Sequence, residues 1–361
     1  MIRIMHFCSD SDIGGAIISL YRLLGAASDP MLEHVVVVPA CCKMKNAFND
    51  LNVELVTYDS TSDESFSLPL IFEMKKLISR FSPHIVHTHG MISARIAAKL
   101  SGVRSLIYTR HTYSENRYGT VKRMLNSLCT TKAVAVNPTL ISQLSDSGIN
   151  TKDISLIYNG CDTISSIDLK ECNVGHEIRL LYLGRIVKGK GLDTAVEALK
   201  RLNKEFYRVT LTIAGEGEYK DSLISLADSL GVGNYVRFMP FTYNIAGLIA
   251  ECDIAINTSY VNEASSNFVI EALSASKPVL ISDIAGNAYM IEQGVEGIKY
   301  RSGDIDSFCC GVKSITKDSK TYHSFCNKAK ERHSCLFSLE SMSSRYIQLW
   351  KDEYSKYYEK N

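Results

Sequence analysis

Two glutamates bracket the start of a helix and form the strongest chemical pattern in this sequence. The stretch Glu263-Ala-Ser-Ser-Asn-Phe-Val-Ile-Glu271 follows the apolar run DIAINTS (253–259), and Ser265 or Ser266 is a suitable N-cap. The free N–H groups of such a helix start attract phosphate, while carboxylates accept hydrogen bonds from sugar and ribose hydroxyls. The alternative is that Glu263 is a solvated loop charge and Glu271 a helix-surface residue, and the spacing alone does not decide between them.

A glycine-rich basic loop is the second candidate. Gly184-Arg185-Ile-Val-Lys188-Gly-Lys190-Gly191 follows the apolar run LLYL. Glycines let the backbone turn sharply, and the cations supply counter-charge to a diphosphate. A basic surface loop preceding a helix that begins near Asp193 is the competing interpretation.

Weaker signals lie in the first half of the chain. Gly14-Gly15, between the first apolar run and the first helical stretch, permits close approach of a ligand, but a full GxGxxG pattern is absent, which disfavours NAD. His87 and His89 lie at one strand end and His111 at another. The sequence shows no carboxylate or third ligand that completes a metal site with the pair. Hydrogen-bonding roles are therefore expected, with His111 the best candidate to touch substrate.

The segment 104–132 is locally basic and includes Arg117, Lys122 and Arg123 beside the apolar residues of VKRMLNSL. A basic amphipathic patch of this kind can rest on anionic headgroups or bind a lipid pyrophosphate. A solvated helix face is the alternative.

The elements that must position these residues are two series of strands alternating with helices. In each half, short unbroken apolar runs are separated by amphipathic stretches, which is typical of doubly wound parallel sheets. The runs are IRIMHF (2–7), HVVVVPA (34–40), VELVTY (53–58), HIVHTH (84–89), SLIYTR (105–110), AVAVNP (133–138), IRLLYLG (178–184), VTLTIAG (209–215), YVRFMP (235–240), DIAINTS (253–259) and PVLISD (278–283).

The polar stretch 162–177 interrupts the alternation and is interpreted as the linker. The sequence thus predicts an α/β protein with two Rossmann-like domains, at 1–165 and 166–337, facing a central cleft. A C-terminal helix at 338–361 is expected to pack toward the first domain. Open sheets of this type bind ligands beyond the carboxyl ends of their strands, so the chemistry is expected in the loops that follow them.

Composition narrows the class of protein. The 361 residues are 45% hydrophobic and 22% charged with a formal net charge of +1, which argues against a nucleic-acid binder. The 11 cysteines show no CxxC pair, as expected of buried thiols in a reducing compartment. Neither a signal peptide nor a membrane-spanning run is recognised, so a cytoplasmic protein, peripheral on the membrane at most, is expected.

Taken together, these motifs resemble the family 4 (group 1) retaining glycosyltransferases, which have the GT-B fold. The resemblance runs through nearly the whole chain, in shared order: Gly14-Gly15, HIVHTHG, IYNGCDT (157–163), GRIVKGKG, IAGEGEY (213–219), the two glutamates with EALSASKPVLISD, and EGIKYRSGD (296–304).

The resemblance implies roles for individual residues. Arg185 and Lys190 would neutralise the donor diphosphate, Glu271 would bind the nucleotide ribose, and Glu263 would hold the transferred sugar. Gly15 would approach the diphosphate and His111 would contact the sugar. Other donor-binding positions would be Gly215, Ser266, Asn267 and Phe268. No cofactor or metal is implied. The expected partners are a nucleotide-sugar, a glycan or lipid-linked acceptor and the inner-leaflet surface, in the synthesis of cell-surface polysaccharide such as lipopolysaccharide.

Two positions depart from the family pattern. Ala264 and Ser265 stand where the family usually has glycine and an aromatic residue, and Gly286-Asn-Ala-Tyr-Met replaces a GGxPE-like turn. Alternatives are therefore a catalytically impaired GT-B partner subunit, which Ala264 favours, and a GT-B-type sugar-nucleotide epimerase. A phosphorylase and an NAD oxidoreductase fit the size and motifs less well.

Overall fold

The computed structural model of the chain describes residues 1–59, 66–114, 118–164, 177–205, 208–242, 244–261, 263–284 and 286–359. The chain divides into two compact units, one formed by Met1–Gly160 with Leu339–Asn361 and the other by Cys161–Ser338. The domain bounds given from the sequence stay a prediction, and residues 165–176 of the expected linker lie outside the described ranges.

The first unit contains a seven-stranded parallel sheet in the order β3-β2-β1-β4-β5-β6-β7. Its strands are β1 (Ile2–Cys8), β2 (Leu32–Pro39), β3 (Glu54–Tyr58), β4 (Ile85–His89), β5 (Ser105–Arg110), β6 (Lys132–Ala135) and β7 (Ile154–Leu156). The order reverses between β1 and β4. This reversal is the switch point at which doubly wound sheets open toward ligands.

Helices cover both faces of this sheet. They are α1 (Gly15–Ala26), α2 (Leu68–Phe81), α3 (Ile92–Leu100), α4 (Thr120–Leu128) and α5 (Thr139–Asp146). One core cluster joins Met5, Phe7 and Val35 to Met74 of α2 and Ala97 of α3. Helix α2 has proline in its first turn, and its C-cap is Ser82, which adopts a left-handed conformation, φ 45°.

The second unit contains a six-stranded parallel sheet in the order β10-β9-β8-β11-β12-β13. Its strands are β8 (Ile178–Leu183), β9 (Val209–Ala214), β10 (Val236–Met239), β11 (Ile254–Asn257), β12 (Val279–Ser282) and β13 (Gly297–Tyr300). Its helices are α6 (Leu192–Glu205), α7 (Lys220–Ser229), α8 (Ile245–Glu251), α9 (Asn267–Ser274), α10 (Ile305–Ile315) and α11 (Ser319–Arg332). The switch point lies between β8 and β11.

The final helix, α12 (Leu339–Tyr354), belongs to the first unit. Its residues Met342, Tyr346, Leu349 and Trp350 are all buried in a cluster that also contains Ile4 of β1. Among the described residues no helix combines the length and apolarity needed to cross a bilayer.

The predicted α/β class with two doubly wound parallel sheets is confirmed. Strands β7 and β13 were not predicted. Both are edge strands of three and four residues with half-buried positions, so neither contains the unbroken apolar run that marks a central strand. The ten described cysteines are free thiols, and six of them are buried: Cys8, Cys42, Cys129, Cys161, Cys252 and Cys309.

Candidate active site

The site in the second unit is built from two loops that meet at the switch point. The loop after β8 turns at Gly191, whose φ is +61°. A Cβ atom there would lie 2.2 Å from the carbonyl oxygen of Thr258, in the loop after β11. The Tyr260 N–H donates to the Gly189 carbonyl at 2.9 Å, and the Thr258 hydroxyl donates to the Lys190 carbonyl at 2.7 Å. Glycine at 191 thus allows the two loops to pack directly together.

Lys190 and Glu263 form an ion pair between these loops. The Lys190 ammonium donates to Glu263 Oε1, and the two side chains are 21% and 13% exposed. The Ser259 hydroxyl donates to the same oxygen, and Asn257 Nδ2 lies 3.4 Å from Oε2. Burial opposes ionisation of Glu263, but Lys190 and these donors outweigh it and hold the pKa of the carboxyl below its ordinary value. Glu263 is therefore an ionised, oriented carboxylate and not a solvated loop charge.

The buried side-chain amide of Asn287 supports the residues that hold this carboxylate. Asn287 Nδ2 donates to Asn257 Oδ1 at 3.2 Å and lies 3.1 Å from Ser282 Oγ, whose hydroxyl donates to the Ser259 carbonyl at 2.9 Å. A Cβ atom on Gly286 would fall 1.3 Å from the Glu263 carbonyl oxygen. The segment that departs from the family pattern thus packs against Glu263 itself.

Sequence reasoning missed Asn257, Ser259 and Asn287. The first two stand at the carboxyl end of β11, where ligand-binding loops were already expected, so their position was a usable signal. For Asn287 the sequence offers only its place in the variant turn.

Helix α9 begins at Asn267, and Ser266 is its N-cap, with the Val269 N–H donating to the serine hydroxyl at 3.4 Å. Phe268 and Glu271 are each 5% exposed. The alternative that Glu271 is a helix-surface residue is therefore wrong. Ala264 is also buried, at 5% exposure.

The other predicted donor-binding positions of this unit lie in the loops after β8 and β9. Arg185 is exposed, and its carbonyl accepts from the Tyr182 hydroxyl at 2.9 Å. Gly215 has φ +145°, and a Cβ atom there would lie 2.0 Å from the Gly184 carbonyl oxygen. Gly215 thus lets the ends of β8 and β9 approach each other.

The predicted residues of the first unit form a separate set. Gly15 is the exposed first residue of α1. His111 Nε2 lies 2.9 Å from His89 Nδ1, and burial lowers the pKa of His111 to about 4. The expectation that no third ligand completes the pair His87 and His89 was wrong, because His6 lies beside both in the folded unit.

The basic patch maps to helix α4. Lys122 and Arg123 are exposed there, and so are Val121, Met124 and Leu128, with exposed fractions of 67%, 55% and 55%. Arg117, the third predicted residue of the patch, lies outside the described residues.

Two family models match the chain, one in each half. The model described as Glycosyltransferase Family 4 matches residues 13–164, and the model described as Glycosyl transferases group 1 matches residues 170–332. Together they account for most of the sequence.

Curated relatives agree with these matches. The chain is 23% identical over 353 residues to the lipopolysaccharide core biosynthesis glycosyltransferase LpsE of Rhizobium meliloti (strain 1021), covering 96% of this chain and 98% of the relative. It is 26% identical over 282 residues to an Escherichia coli enzyme named UDP-Gal:alpha-D-GlcNAc-diphosphoundecaprenol alpha-1,3-galactosyltransferase, covering 70% and 73% of the two chains.

The structure of Anabaena HepE in complex with UDP and glucose superposes with a TM-score of 0.83 at 19% identity, covering 98% of this chain and all of the other. That likeness concerns the fold and supports the GT-B assignment. With two parallel-sheet α/β units, both family matches and glycosyltransferase relatives along its length, the chain belongs to the group 1, family 4 glycosyltransferases.

Proposed function

We propose that the protein transfers a sugar from a nucleotide-sugar donor, with retention of anomeric configuration, to a glycan or lipid-linked acceptor in cell-surface polysaccharide synthesis. The observation that carries the proposal is the arrangement at the second switch point. There Lys190, the oriented Glu263 carboxylate and the capped start of α9 all follow neighbouring strands.

The donor diphosphate is the group that this arrangement suits best. Arg185 and Lys190 provide two cations in one loop, and the N-terminus of α9 provides backbone N–H groups with a positive dipole. Fixed positive charge favours the developing charge of a departing phosphate over its ground state, which is how such a site accelerates transfer.

The carboxylates suit the hydroxyl-bearing parts of the donor. Glu263 would accept from hydroxyls of the transferred sugar, because Ser259 and Asn257 hold it in place. Glu271 would accept from the ribose, with Ser266, Asn267 and Phe268 around the helix start and Gly215 at the neighbouring strand end. In the first unit, Gly15 would approach the donor diphosphate and His111 would contact the transferred sugar.

The reaction breaks the bond between the sugar's anomeric carbon and the β-phosphate oxygen and forms a bond from that carbon to an acceptor hydroxyl oxygen. In same-face transfer through an oxocarbenium-like state, the acceptor proton passes to the departing phosphate oxygen. No metal or other cofactor is needed in this scheme, because side chains and helix dipole supply the counter-charge.

The acceptor is proposed to be lipid-linked and presented at the cytoplasmic face of the membrane. Helix α4 supports this, since Lys122 and Arg123 accompany three exposed apolar side chains on one short helix. Such a surface pairs anionic headgroups with shallow apolar contact. The Escherichia coli relative, by its name, also acts on a diphosphoundecaprenol-linked sugar.

Calorimetric titration with UDP, GDP, ADP and their sugar conjugates tests the donor assignment, and UDP is the first candidate because the Escherichia coli relative's name specifies UDP-Gal. One nucleotide should bind the wild type, and Glu271→Ala and Arg185→Ala should each weaken that binding. Lys188→Ala is the matched control, because it removes an exposed cation from the same loop. Binding without transfer to any lipid-linked acceptor would favour the impaired-subunit alternative, and absence of binding would contradict the proposal.

A further inference from the structure

Three buried histidines in the first unit lie together on one face of the sheet. His6 of β1 and His87 of β4 are register partners, and His89 stands two residues further along β4. His6 and His87 are fully buried and His89 is 3% exposed. The alternation of side chains along a strand places all three on the same face.

The hydrogen bonding of these rings follows one pattern. In each ring one nitrogen has a partner and the other, although buried, has none among the described residues. The partnered contacts are His6 Nε2 to His34 Nδ1 at 3.1 Å, His87 Nε2 to Thr109 Oγ1 at 2.8 Å and His89 Nδ1 to His111 Nε2 at 2.9 Å. The nitrogens without a partner are His6 Nδ1, His87 Nδ1 and His89 Nε2. A buried polar atom without a hydrogen-bond partner costs free energy, so three such nitrogens close together indicate that a ligand binds there.

The geometry fits a single ion. One ring nitrogen from each of His6, His87 and His89 lies within 4.8 Å of the others. Tetrahedral zinc with bonds of about 2.0–2.1 Å to nitrogen separates its ligand atoms by roughly 3.4 Å, so the three nitrogens would move toward one another by at most about 1.4 Å to bind one ion. Burial also lowers the pKa of all three histidines well below the ordinary value, which leaves them as the neutral imidazoles that bind metals.

We propose that His6, His87 and His89 bind one divalent late first-row transition metal ion, with zinc the expected ion. Three neutral imidazoles suit zinc, copper, nickel and iron and leave a fourth position open. His34, Thr109 and His111 would form the outer shell that orients the ligand rings, as the second nitrogen of a metal-bound histidine usually requires. None of the three proposed ligands is among the residues assigned to the donor, although His111 of the outer shell is.

Metal binding would also set the protonation of His111. With the ion on Nε2 of His89, the proton of that ring stays on Nδ1 and is donated to His111 Nε2, so that a neutral His111 carries its own proton on Nδ1. This consequence for the sugar-contacting residue rests on the proposed function, whereas metal binding itself does not.

The opposing interpretation is that the rings only pack. The ring centroids of His6 and Trp350 lie 5.4 Å apart in an edge-on arrangement, and those of His87 and Tyr346 lie 5.7 Å apart. The cluster is therefore also part of the aromatic core that packs against α12. Packing alone predicts no specific affinity for an ion, which makes the two interpretations separable by experiment.

The test uses tag-free full-length protein, stripped with a chelator and titrated with Zn²⁺ in competition with a chromophoric chelator and with Co²⁺ by visible absorption. The wild type should bind one ion per chain. His87→Asn and His6→Gln should each weaken binding at least about 100-fold, and His34→Gln roughly 10- to 100-fold. His323→Gln, which changes an exposed histidine of α11, should leave the affinity unchanged.

Circular dichroism and melting curves establish that each variant folds. If the ligand variants do not fold, Co²⁺ added to the wild type should broaden NMR signals from β1 and β4 selectively. The proposal is overturned if the wild type binds no ion at micromolar zinc, if both ligand variants bind with wild-type affinity, or if the broadening lies elsewhere.

Discussion

The ammonium group of Lys190 donates to the carboxylate of Glu263 across the point where the strand order of the second sheet reverses. The residues are 73 positions apart in the chain, yet they stand at the carboxyl ends of adjacent strands, β8 and β11. Each loop is thereby fixed by the other, and a cation proposed to bind phosphate is held beside a carboxylate proposed to bind sugar.

Removal of the cation should impair both activity and stability. Lys190→Ala should lower kcat by about 100- to 1000-fold, because a fixed charge at the departing phosphate is lost. It should also lower the free energy of unfolding by about 1–3 kcal/mol, because the largely buried carboxyl of Glu263 loses the cation that offsets its burial. Steady-state kinetics and urea denaturation measure the two effects, and Lys188→Ala should alter neither strongly.

A double-mutant cycle isolates the ion pair itself. Lys190→Ala and Glu263→Gln should show a coupling energy of about 0.5–3 kcal/mol in stability, because the residues are in direct contact. Strictly additive effects would mean that the pair contributes nothing beyond its separate side chains.

The close packing at Gly191 predicts that a side chain there destabilises the fold by steric clash, whereas a side chain at Gly231 does not clash. Gly191→Ala should destabilise the protein by more than the ~1–2 kcal/mol expected of a left-handed residue alone, since its Cβ would meet the Thr258 carbonyl. Gly231→Ala is the comparison, because Gly231 has φ +71° with no atom within 4 Å of its ideal Cβ. Equal losses in chemical denaturation would show that loop contact at Gly191 is unimportant.

The decrease in the free energy of unfolding at acid pH should depend on Glu263. Its folded pKa lies below the ordinary value of 4.5, so ionised Glu263 stabilises the fold fully above that pH. This contribution to the free energy of unfolding is lost as pH falls through the folded pKa, because below it the carboxyl is protonated in both the folded and the unfolded chain. The difference in free energy of unfolding between wild type and Glu263→Gln should therefore be constant near neutrality and shrink below about pH 4.5. A difference that grows toward acid would contradict the assignment.

Helix α4 predicts salt-sensitive attachment to anionic membranes. Lys122→Ala/Arg123→Ala should weaken binding to phosphatidylserine vesicles by roughly 30-fold, from about 1 kcal/mol per cation near the surface. Met124→Ser should weaken binding with less dependence on salt, because it removes apolar contact. Co-sedimentation at several ionic strengths measures both, with Lys317→Ala/Lys320→Ala, two exposed lysines of the other unit, as the control. Equal effects from the control would indicate non-specific attraction.

Local patterns in the sequence determined much of the architecture. Unbroken apolar runs predicted the central strands, because a strand buried on both faces has no polar positions to interrupt it. Ser265 or Ser266 before NFVIEALSA predicted the start of α9, because N-capping depends only on residues within one turn, and Ser266 is the cap in the structure. The order of motifs also identified the family and hence the GT-B fold.

Only the tertiary structure decided which distant residues meet. The apolar runs do not encode the order of strands within a sheet, and that order is what places Lys190 beside Glu263 and His6 beside His87. Asn287 gained its role because a turn without a side chain at 286 could press against Glu263. Burial decided the rest: the sequence could not distinguish a surface Glu271 from a buried one, since helical periodicity alone does not show which face the neighbouring elements cover.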